Sequence, residues 1–419
     1  MYCIPAFIFF IFFVISYKRK GFDLGSGMVF LYLLSTILAI YLHNLPKDAL
    51  DIDYTFDISF VPTIVFCFVI VVALLPFVKL DTNARKQIRP ISNIKYFNYI
   101  GIFYIFLFFG LLLFLWDDIV LGIFQQNLAD MRQEMHEGNL ENAFSRQKTF
   151  LGKLIGYGSA TVAAGASYMI PFFFYSLCFT NNKKIFNYLL LLSSLSSVLM
   201  GIIVIDRSST ILWAMYFLIS FFLFKPYLSD SSKKELRRVL FVIGGLLFVY
   251  FAAVTIARFA TSEGGTSGGV LRYIGQSYLN FCNIWDNVEV NSYTTRRFLP
   301  ALDSFVIHSD PDIQNYTMKN MDGNRLNAFY SYIGMLYVDM GLIGAIIIPL
   351  MFSLVSMSIC NRYMRKRAIN IKDMIYVLML AIIPTYGVIS YYYLGYPRTL
   401  NLILMLFMMS KFRFKKAVL

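Results

Sequence analysis

Five arginines each lie at the end of an apolar segment of the sequence or in a connection near one. They are Arg207, Arg258, Arg272, Arg325 and Arg398. A guanidinium group at membrane depth is costly and needs a reason to be there. It stays charged, and it binds phosphate oxygens through two parallel hydrogen bonds. The five positions are therefore typical of a phosphate or diphosphate site, or of anchors that reach lipid headgroups and nearby acids such as Asp206.

A second set of residues could accept a proton from a hydroxyl group. It comprises Asp286, Asp303, His308 and Asp339, and the sequence leaves the choice among them open. The chain shows no His, Cys, Asp or Glu cluster at metal-ligand spacing, and its Asp-Ile-Asp and Asp-Pro-Asp pairs lie in loops without a phosphate-binding frame. We therefore expect chemistry that needs neither a metal ion nor a cofactor.

Aromatic and amide side chains cluster in the same stretch as Asp286. They are Tyr273, Gln276, Tyr278, Asn280 and Trp285. Aromatic rings and a few polar groups commonly line binding sites for small molecules, and amides both donate and accept hydrogen bonds. The alternative is that these rings pack the segment onto the membrane surface.

The composition identifies the elements that must position these residues. Of 419 residues, 58% are hydrophobic and only 15% are charged, and the mean hydropathy is +0.63. Soluble proteins have about 25% charged residues. The chain is therefore predicted to be an all-α, polytopic membrane protein, without room for a soluble catalytic domain.

Hydropathy predicts about eleven transmembrane helices, because a helix needs about 20 mainly apolar residues to cross the hydrocarbon core. The predicted spans are 2–17, 28–45, 58–78, 96–116, 155–179, 186–205, 210–224, 239–257, 329–360, 374–392 and 399–410. The first eight spans occupy residues 1–257, and the last three occupy 329–419 together with a basic tail.

The basic residues predict the orientation. Alternate connections and the C-terminal tail hold 24 of the 37 Lys and Arg residues and only five of the 24 acidic residues. By the positive-inside rule these connections are cytoplasmic, so the N-terminus is outside and the C-terminus inside. The net charge of +13 is then a topology signal, and we expect no nucleic-acid partner.

Two outer segments are long enough to contribute to a site. Residues 117–154 have helical apolar spacing, which indicates an amphipathic helix in the interface or a gate over a cavity. Residues 258–328 form the large outer loop of this interpretation. The glycine-rich stretch 262–269 lacks the Lys of a nucleotide loop and is predicted to be a hinge.

Three motifs give the chain a family resemblance. They are Arg207-Ser208 before a span, Tyr273-Ile274-Gly275-Gln276-Ser277-Tyr278-Leu279-Asn280-Phe281 in the large loop, and Tyr337-Val338-Asp339-Met340-Gly341-Leu342-Ile343-Gly344 in the next span. Together with the topology, they resemble the bacterial oligosaccharide repeat unit polymerases, which build O-antigen and capsular polysaccharides. Related O-antigen ligases carry a His-Asn pair where this chain reads Arg325-Leu326-Asn327.

The resemblance implies a GT-C-like glycosyltransferase of the bacterial inner membrane, with a periplasmic N-terminus and a cytoplasmic C-terminus. The growing glycan on undecaprenyl diphosphate would be the donor, and a hydroxyl of a single lipid-linked repeat unit would attack it with inversion. The five arginines would bind the diphosphate. Asp339, His308 and Asp286 would be catalytic candidates. The sugars would be bound by Tyr273, Gln276, Tyr278, Asn280 and Trp285. A chain-length regulator and a flippase would be partners.

Other functions fit the same composition. A flippase for the same lipid-linked oligosaccharide would also need cations on its outer face, although the two halves of the chain show no internal repeat. A ligase would use the same donor with a lipid A core acceptor. A purely structural membrane protein would leave the arginines unexplained.

The charge asymmetry makes a testable prediction about topology. In a variant without native cysteines, a cysteine replacing Asn139 should react with an impermeant thiol reagent in intact spheroplasts, because 117–154 is predicted to be outside. A cysteine replacing Ser232 should react only after lysis. Labelling at position 232 in intact spheroplasts would reverse the assignment of every connection.

Overall fold

The computed structural model describes residues 1–45, 54, 56–116, 120, 158–159, 161–203, 208–259, 265–287, 303, 331–390 and 396–415. Its α-helices are α1 Ile4–Lys20, α2 Leu24–His43, α3 Phe60–Lys79, α4 Ile94–Phe114, α5 Met169–Phe179, α6 Lys184–Ser193, α7 Ser196–Ile203, α8 Ser208–Phe224, α9 Asp230–Phe259, α10 Gly265–Asn287, α11 Tyr332–Leu342, α12 Ile348–Arg365, α13 Ile371–Tyr386 and α14 Tyr396–Ser410. A π-helical stretch, Ile343–Ile347, joins α11 to α12.

The prediction of an all-α protein is confirmed. In the described ranges the β-structure consists of two paired two-residue strands, β1 Gln87–Ile88 and β2 Ala368–Ile369, and one isolated bridge between Ile91 and Phe414. Such short pairs tie connections together and form no layer of the fold.

Six helical segments of the described chain are long and apolar enough to cross a membrane. They are Leu24–His43, Phe60–Lys79, Ile94–Phe114, Lys184–Ile202, Ser208–Tyr227 and Tyr332–Arg365. Two shorter apolar helices, Ala166–Phe179 and Arg398–Ser410, coincide with further predicted spans. The membrane prediction is thus supported, whereas the count of about eleven spans stays a prediction.

The chain divides into two compact units. The first comprises Met1–Ala84, Thr261–Arg367 and Tyr376–Tyr396. The second comprises Arg85–Ala260, Ala368–Ile375 and Pro397–Leu419. Each unit is therefore built from segments that are distant in sequence.

The core of the first unit is an aromatic cluster between α1, α2 and α3. The Phe9 ring centroid lies 5.7 Å from that of Tyr32 and 6.4 Å from that of Phe66, and all three side chains are buried. The Tyr32 hydroxyl donates to the Pro384 carbonyl over 2.8 Å. This bond satisfies a buried polar group and fixes the end of α13 against α2.

A buried carboxylate caps the start of α2. Asp23 Oδ1 accepts from the Ser26 N–H over 2.9 Å, while Ser26 Oγ accepts from the Asp23 N–H over 2.8 Å. This reciprocal capping box satisfies helix N-terminal donors that would otherwise have no partner. Burial raises the pKa of Asp23, and the hydrogen bonds from Ser26 oppose that rise.

At one end of the second unit, the segments that connect its helices are hydrogen-bonded to one another. The Lys86 N–H donates to the Tyr227 hydroxyl over 3.1 Å, and the Ser92 N–H donates to the Arg413 carbonyl over 2.8 Å. Gln87 pairs with Ala368 in the small sheet. The sequence analysis assigned all of these connections to one side of the membrane, and the structure places them together. Which side is cytoplasmic stays a prediction.

Close packing at Gly25 makes a testable prediction. A Cβ atom there would lie 2.6 Å from the Phe77 carbonyl oxygen and from the Val78 Cα, and neither backbone atom can rotate away. We expect Gly25→Ala to destabilise the protein by about 1–3 kcal/mol, as overpacking does. Thermal unfolding of the purified protein in detergent measures the change.

Gly110→Ala is the matched control, because a Cβ atom at Gly110 meets nothing within 4 Å. Alanine is a better helix former than glycine by about 0.5–1 kcal/mol, so this variant should be as stable as the native protein or more so. Equal melting temperatures for the two variants would contradict the packing at Gly25.

Candidate functional site

The candidate site is organised by α10, which lies within the segment 258–328 that the sequence analysis interpreted as a loop. Gly265–Asn287 is a helix of 23 residues that packs along α2 and also contacts α3 and α11. The hinge predicted at 262–269 is wrong in its described part, because Gly265–Gly269 belong to this helix. Packing against α2 overrides the weak helix propensity of glycine.

A close backbone approach seats α10 on α2. A Cβ atom on Gly275 would lie 2.8 Å from the Leu38 carbonyl carbon and 3.0 Å from the Ala39 nitrogen. The Ser35 hydroxyl donates to the Ile274 carbonyl over 2.7 Å. Glycine at such a contact lets two helices touch through their backbones, as in membrane helix pairs.

The buried polar side chains of α10 are hydrogen-bonded to neighbouring segments. Gln276 is 2% exposed, and its Oε1 accepts from the Tyr54 hydroxyl over 2.9 Å. The Tyr54 carbonyl in turn bonds His43 Nδ1 over 2.6 Å. Ser277 Oγ donates to the Val388 carbonyl over 2.6 Å, beyond the end of α13. These bonds offset the cost of placing polar groups beside apolar spans.

Tyr278, predicted to bind sugar, is a core residue in the structure. Its side chain is 0% exposed, its ring lies 5.2 Å from that of Phe66, and its hydroxyl lies 2.8 Å from Thr63 Oγ1. A ring enclosed in this way has no face available for a ligand.

Trp285 and Tyr337 form an aromatic pair that joins α10 to α11. Their ring centroids are 4.8 Å apart with an interplanar angle of 19°, and the Tyr337 hydroxyl lies 3.4 Å from the Trp285 carbonyl oxygen. The Phe281 ring lies 5.7 Å from the indole. One face of Trp285, predicted to stack on sugar, is therefore covered by Tyr337.

Asp286 is an exposed carboxylate at the C-terminal end of α10. The Ser59 hydroxyl donates to its Oδ2 over 2.8 Å. Ser59 is the N-cap of α3 and makes no capping bond with its own side chain. A carboxylate at the C-terminus of a helix is disfavoured, whereas one near an N-terminus is stabilised by the helix dipole. The N-terminus of α3 thus compensates for the position of Asp286 on α10.

Asp339 lies on α11 just before a sharp bend and is 2% exposed. Gly341 has φ 59° and ψ −147°, a combination open to glycine almost alone. A Cβ atom on Gly344 would overlap the Leu336 carbonyl oxygen and lie 2.6 Å from Met340 Cβ. In a straight helix Leu336 and Gly344 would be about 12 Å apart, so the chain turns back here.

The structure brings together six of the predicted site residues in the first unit. Gln276, Tyr278, Asn280, Trp285 and Asp286 share α10, and Asp339 lies on α11, which packs against α10. Arg272 and Tyr273 belong to α10 as well, but their side chains lie outside the description. Asp303, the further proton acceptor, is buried.

Among the predicted diphosphate-binding arginines, the structure describes the side chain of Arg398 alone. Arg258 is the next-to-last residue of α9 and Arg398 lies in α14, and both belong to the second unit. Arg207, Arg325 and His308 lie outside the described residues. The arginine cluster therefore stays a prediction.

Two partners in the site were not predicted, Ser59 and Tyr54. Ser59 directly precedes the apolar run of α3, and a serine in that position is an N-cap signal that a sequence does carry. Nothing local to Tyr54 indicates Gln276 as its partner, since 222 positions separate them.

Comparison with protein-family models, with curated proteins and with solved structures finds no significant match to this chain.

The bend at Gly341 makes a testable prediction. Gly341→Ala should destabilise the protein by about 1–3 kcal/mol, because alanine is strained at this φ and ψ. Gly244→Ala, where a Cβ atom meets nothing within 4 Å, is the control and should not lower the melting temperature. An unchanged melting temperature for Gly341→Ala would show that α11 and α12 form one straight helix.

Proposed function

We propose that the chain polymerises oligosaccharide repeat units carried on undecaprenyl diphosphate, by inverting, metal-independent glycosyl transfer at the periplasmic face of the bacterial inner membrane. The supporting observation is that the two long motifs of the family resemblance, which are more than fifty residues apart, meet where the ring centroids of Phe281 and Tyr337 are 6.4 Å apart. Trp285, which follows the first motif on α10, stacks on Tyr337 of α11 and adds to this contact.

In this proposal Asp286 is the general base. The acceptor hydroxyl attacks the anomeric carbon of the donor glycan, its proton passes to the Asp286 carboxylate, and the bond to the diphosphate oxygen breaks. Exposure makes Asp286 accessible to a sugar hydroxyl, while Ser59 orients one of its oxygens. Asp339 is buried on α11 and has the role of positioning this helix.

The arginines act on the leaving group in the same proposal. Negative charge grows on the diphosphate as the sugar bond breaks, and guanidinium groups are preorganised donors for that charge. They neutralise it without a divalent ion. A chain-length regulator, and a flippase that delivers the repeat unit, would be the protein partners.

A flippase is the second candidate, and the bend at Gly341 favours it. Broken helices with polar residues nearby are common at transporter binding sites. The two functions differ in what purified protein does in detergent, where no bilayer separates two sides. A polymerase converts lipid-linked repeat units into a ladder of longer glycans, whereas a flippase leaves them unchanged.

Deleting the chain from its host also separates the candidates. A polymerase deletion leaves single repeat units on the lipid A core, a ligase deletion leaves full-length polymer on the carrier lipid, and a flippase deletion leaves repeat units on the cytoplasmic side. Full-length polymer on the carrier would contradict the proposed function.

Replacing the proposed base makes a sharp prediction. Asp286→Asn keeps the shape of the side chain but cannot accept the proton, so the rate of ladder formation should fall by a factor of about 100 or more. Asp57→Asn is the matched control, because Asp57 is also exposed and lies close to the start of α3. Equal loss in both variants would point to surface charge and exclude Asp286 as the base.

The arginine cluster is tested in the same assay. Arg207→Ala, Arg258→Ala and Arg272→Ala should each strongly reduce polymer length, and lysine should restore it poorly because it cannot bind phosphate through two parallel bonds. Arg237→Ala, in the basic start of α9, is the control and should retain full length. Full-length polymer from all three alanine variants would contradict the proposed diphosphate site.

A further inference from the structure

Four amide side chains follow one face of α10. They are Gln276, Asn280, Asn283 and Asn287, at successive intervals of four, three and four residues. At about 100° per residue these positions fall within a sector of about 60°. The last two, Asn283 and Asn287, are named the amide stripe here.

The neighbours of α10 in the first unit lie on its other sides. Gly275 faces α2, Ser277 reaches the residues after α13, and Tyr278 packs against α3. Trp285 faces α11 and lies about 180° around the helix from the middle of the stripe. Among the described residues, the packing of α10 thus uses its other sides, and Asn287 is exposed at its C-terminal end.

Exposure increases along this face. Gln276 is buried and bonded to Tyr54, Asn280 and Asn283 are half-buried, and Asn287 is exposed. Local helix stability does not explain the asparagines, because asparagine is a weak helix former that competes with the backbone for hydrogen bonds.

Asn283 and Asn287 are hydrogen-bonded to each other. Asn287 Nδ2 donates to Asn283 Oδ1 over 2.6 Å and to the Asn283 carbonyl over 3.0 Å. Within the described chain, the Asn283 amide nitrogen and the Asn287 Oδ1 have no protein hydrogen-bond partner. A donor and an acceptor therefore remain side by side on this face.

We infer that the amide stripe binds the hydroxyl groups of an uncharged part of the glycan and so determines which repeat unit is accepted. Neighbouring sugar hydroxyls both donate and accept, which matches paired amides better than it matches charged groups. Asp286 follows Asn283 by three residues and is its neighbour on the helix surface. A sugar held by the stripe therefore lies next to the proposed base. This inference rests on the proposed function for the identity of the glycan.

Binding of a lipid-free glycan tests the inference without requiring catalysis. The probe is the repeat-unit oligosaccharide released by mild acid from the lipid-linked intermediate of the host strain. Saturation-transfer NMR on the full-length protein in nanodiscs measures its Kd. Asn283→Ala combined with Asn287→Ala should weaken binding about tenfold, as expected for the loss of two neutral hydrogen bonds.

Two further variants make the result specific. Asn44→Ala is the matched control, because Asn44 is an exposed asparagine at the end of α2 whose amide donates only within its own helix, to Ile40. Its Kd should equal that of the native protein. Asp286→Asn should also bind normally, although it polymerises poorly. Melting temperatures of all variants verify that they are folded.

The outcomes separate the inference from the proposed function. An unchanged Kd in the double variant, or no binding to a native protein that does polymerise lipid-linked units, overturns the amide stripe and leaves the polymerase proposal standing. Tenfold weaker binding in the double variant supports the stripe. If the native protein then forms no ladder, the stripe remains a sugar site and the polymerase proposal fails.

Discussion

The first unit depends on seating a polar helix among apolar ones, and the contact between Gly275 and α2 makes this possible. Without a Cβ atom at Gly275, the α10 backbone reaches that of Leu38 and Ala39. At this separation the Ser35 hydroxyl bonds the Ile274 carbonyl, and Gln276 and Ser277 reach their own partners. Each bond offsets the free energy of desolvating a polar group, which would otherwise disfavour the packing of α10 among apolar helices. The amide face and the position of Asp286 both follow from this placement.

The bend at Gly341 shortens an apolar segment that would be too long for the membrane as a straight helix. The apolar segment Tyr332–Arg365 has 34 residues, and as a straight helix it would be about 50 Å long against a hydrocarbon core of about 30 Å. The turn at Gly341 and the π-helical stretch after it shorten the segment. They also let α11 lie beside α10, where Tyr337 stacks on Trp285.

Sequence patterns predicted the apolar helices well and α10 poorly, for a physical reason. Hydropathy detects a segment by its own transfer free energy, so the spans of α2, α3 and α4 were found with ends close to those observed. The stability of α10 comes from partners such as Tyr54 and Val388, which are distant in sequence. Hydropathy alone therefore assigned this polar segment to a loop.

The candidate site was predictable in the same uneven way. Asp286 and Asp339 were two of four possible proton acceptors, and the sequence left the choice among them open. That Tyr278 is enclosed by Thr63 and Phe66, and that Ser59 bonds Asp286, depends on helix packing that no local pattern encodes. The diphosphate site rests on residues of which the structure describes few, so its prediction is still based on charge and position alone.

The order of polar groups along α10 follows the cost of burying them. The amide at Gln276 is deepest and is neutral and fully enclosed, the asparagines at 280 and 283 are partly open, and the charge of Asp286 comes last, beside the N-terminus of α3. A carboxylate in place of Gln276 would cost several kcal/mol by desolvation, and an alanine at Asn283 would favour the helix. A residue whose polarity matches its exposure but whose helix propensity is weak is expected where a ligand binds. Asn283 and Asn287 are such residues, because within the described chain their side chains bond each other and the Asn283 carbonyl and contact no other helix through hydrogen bonds.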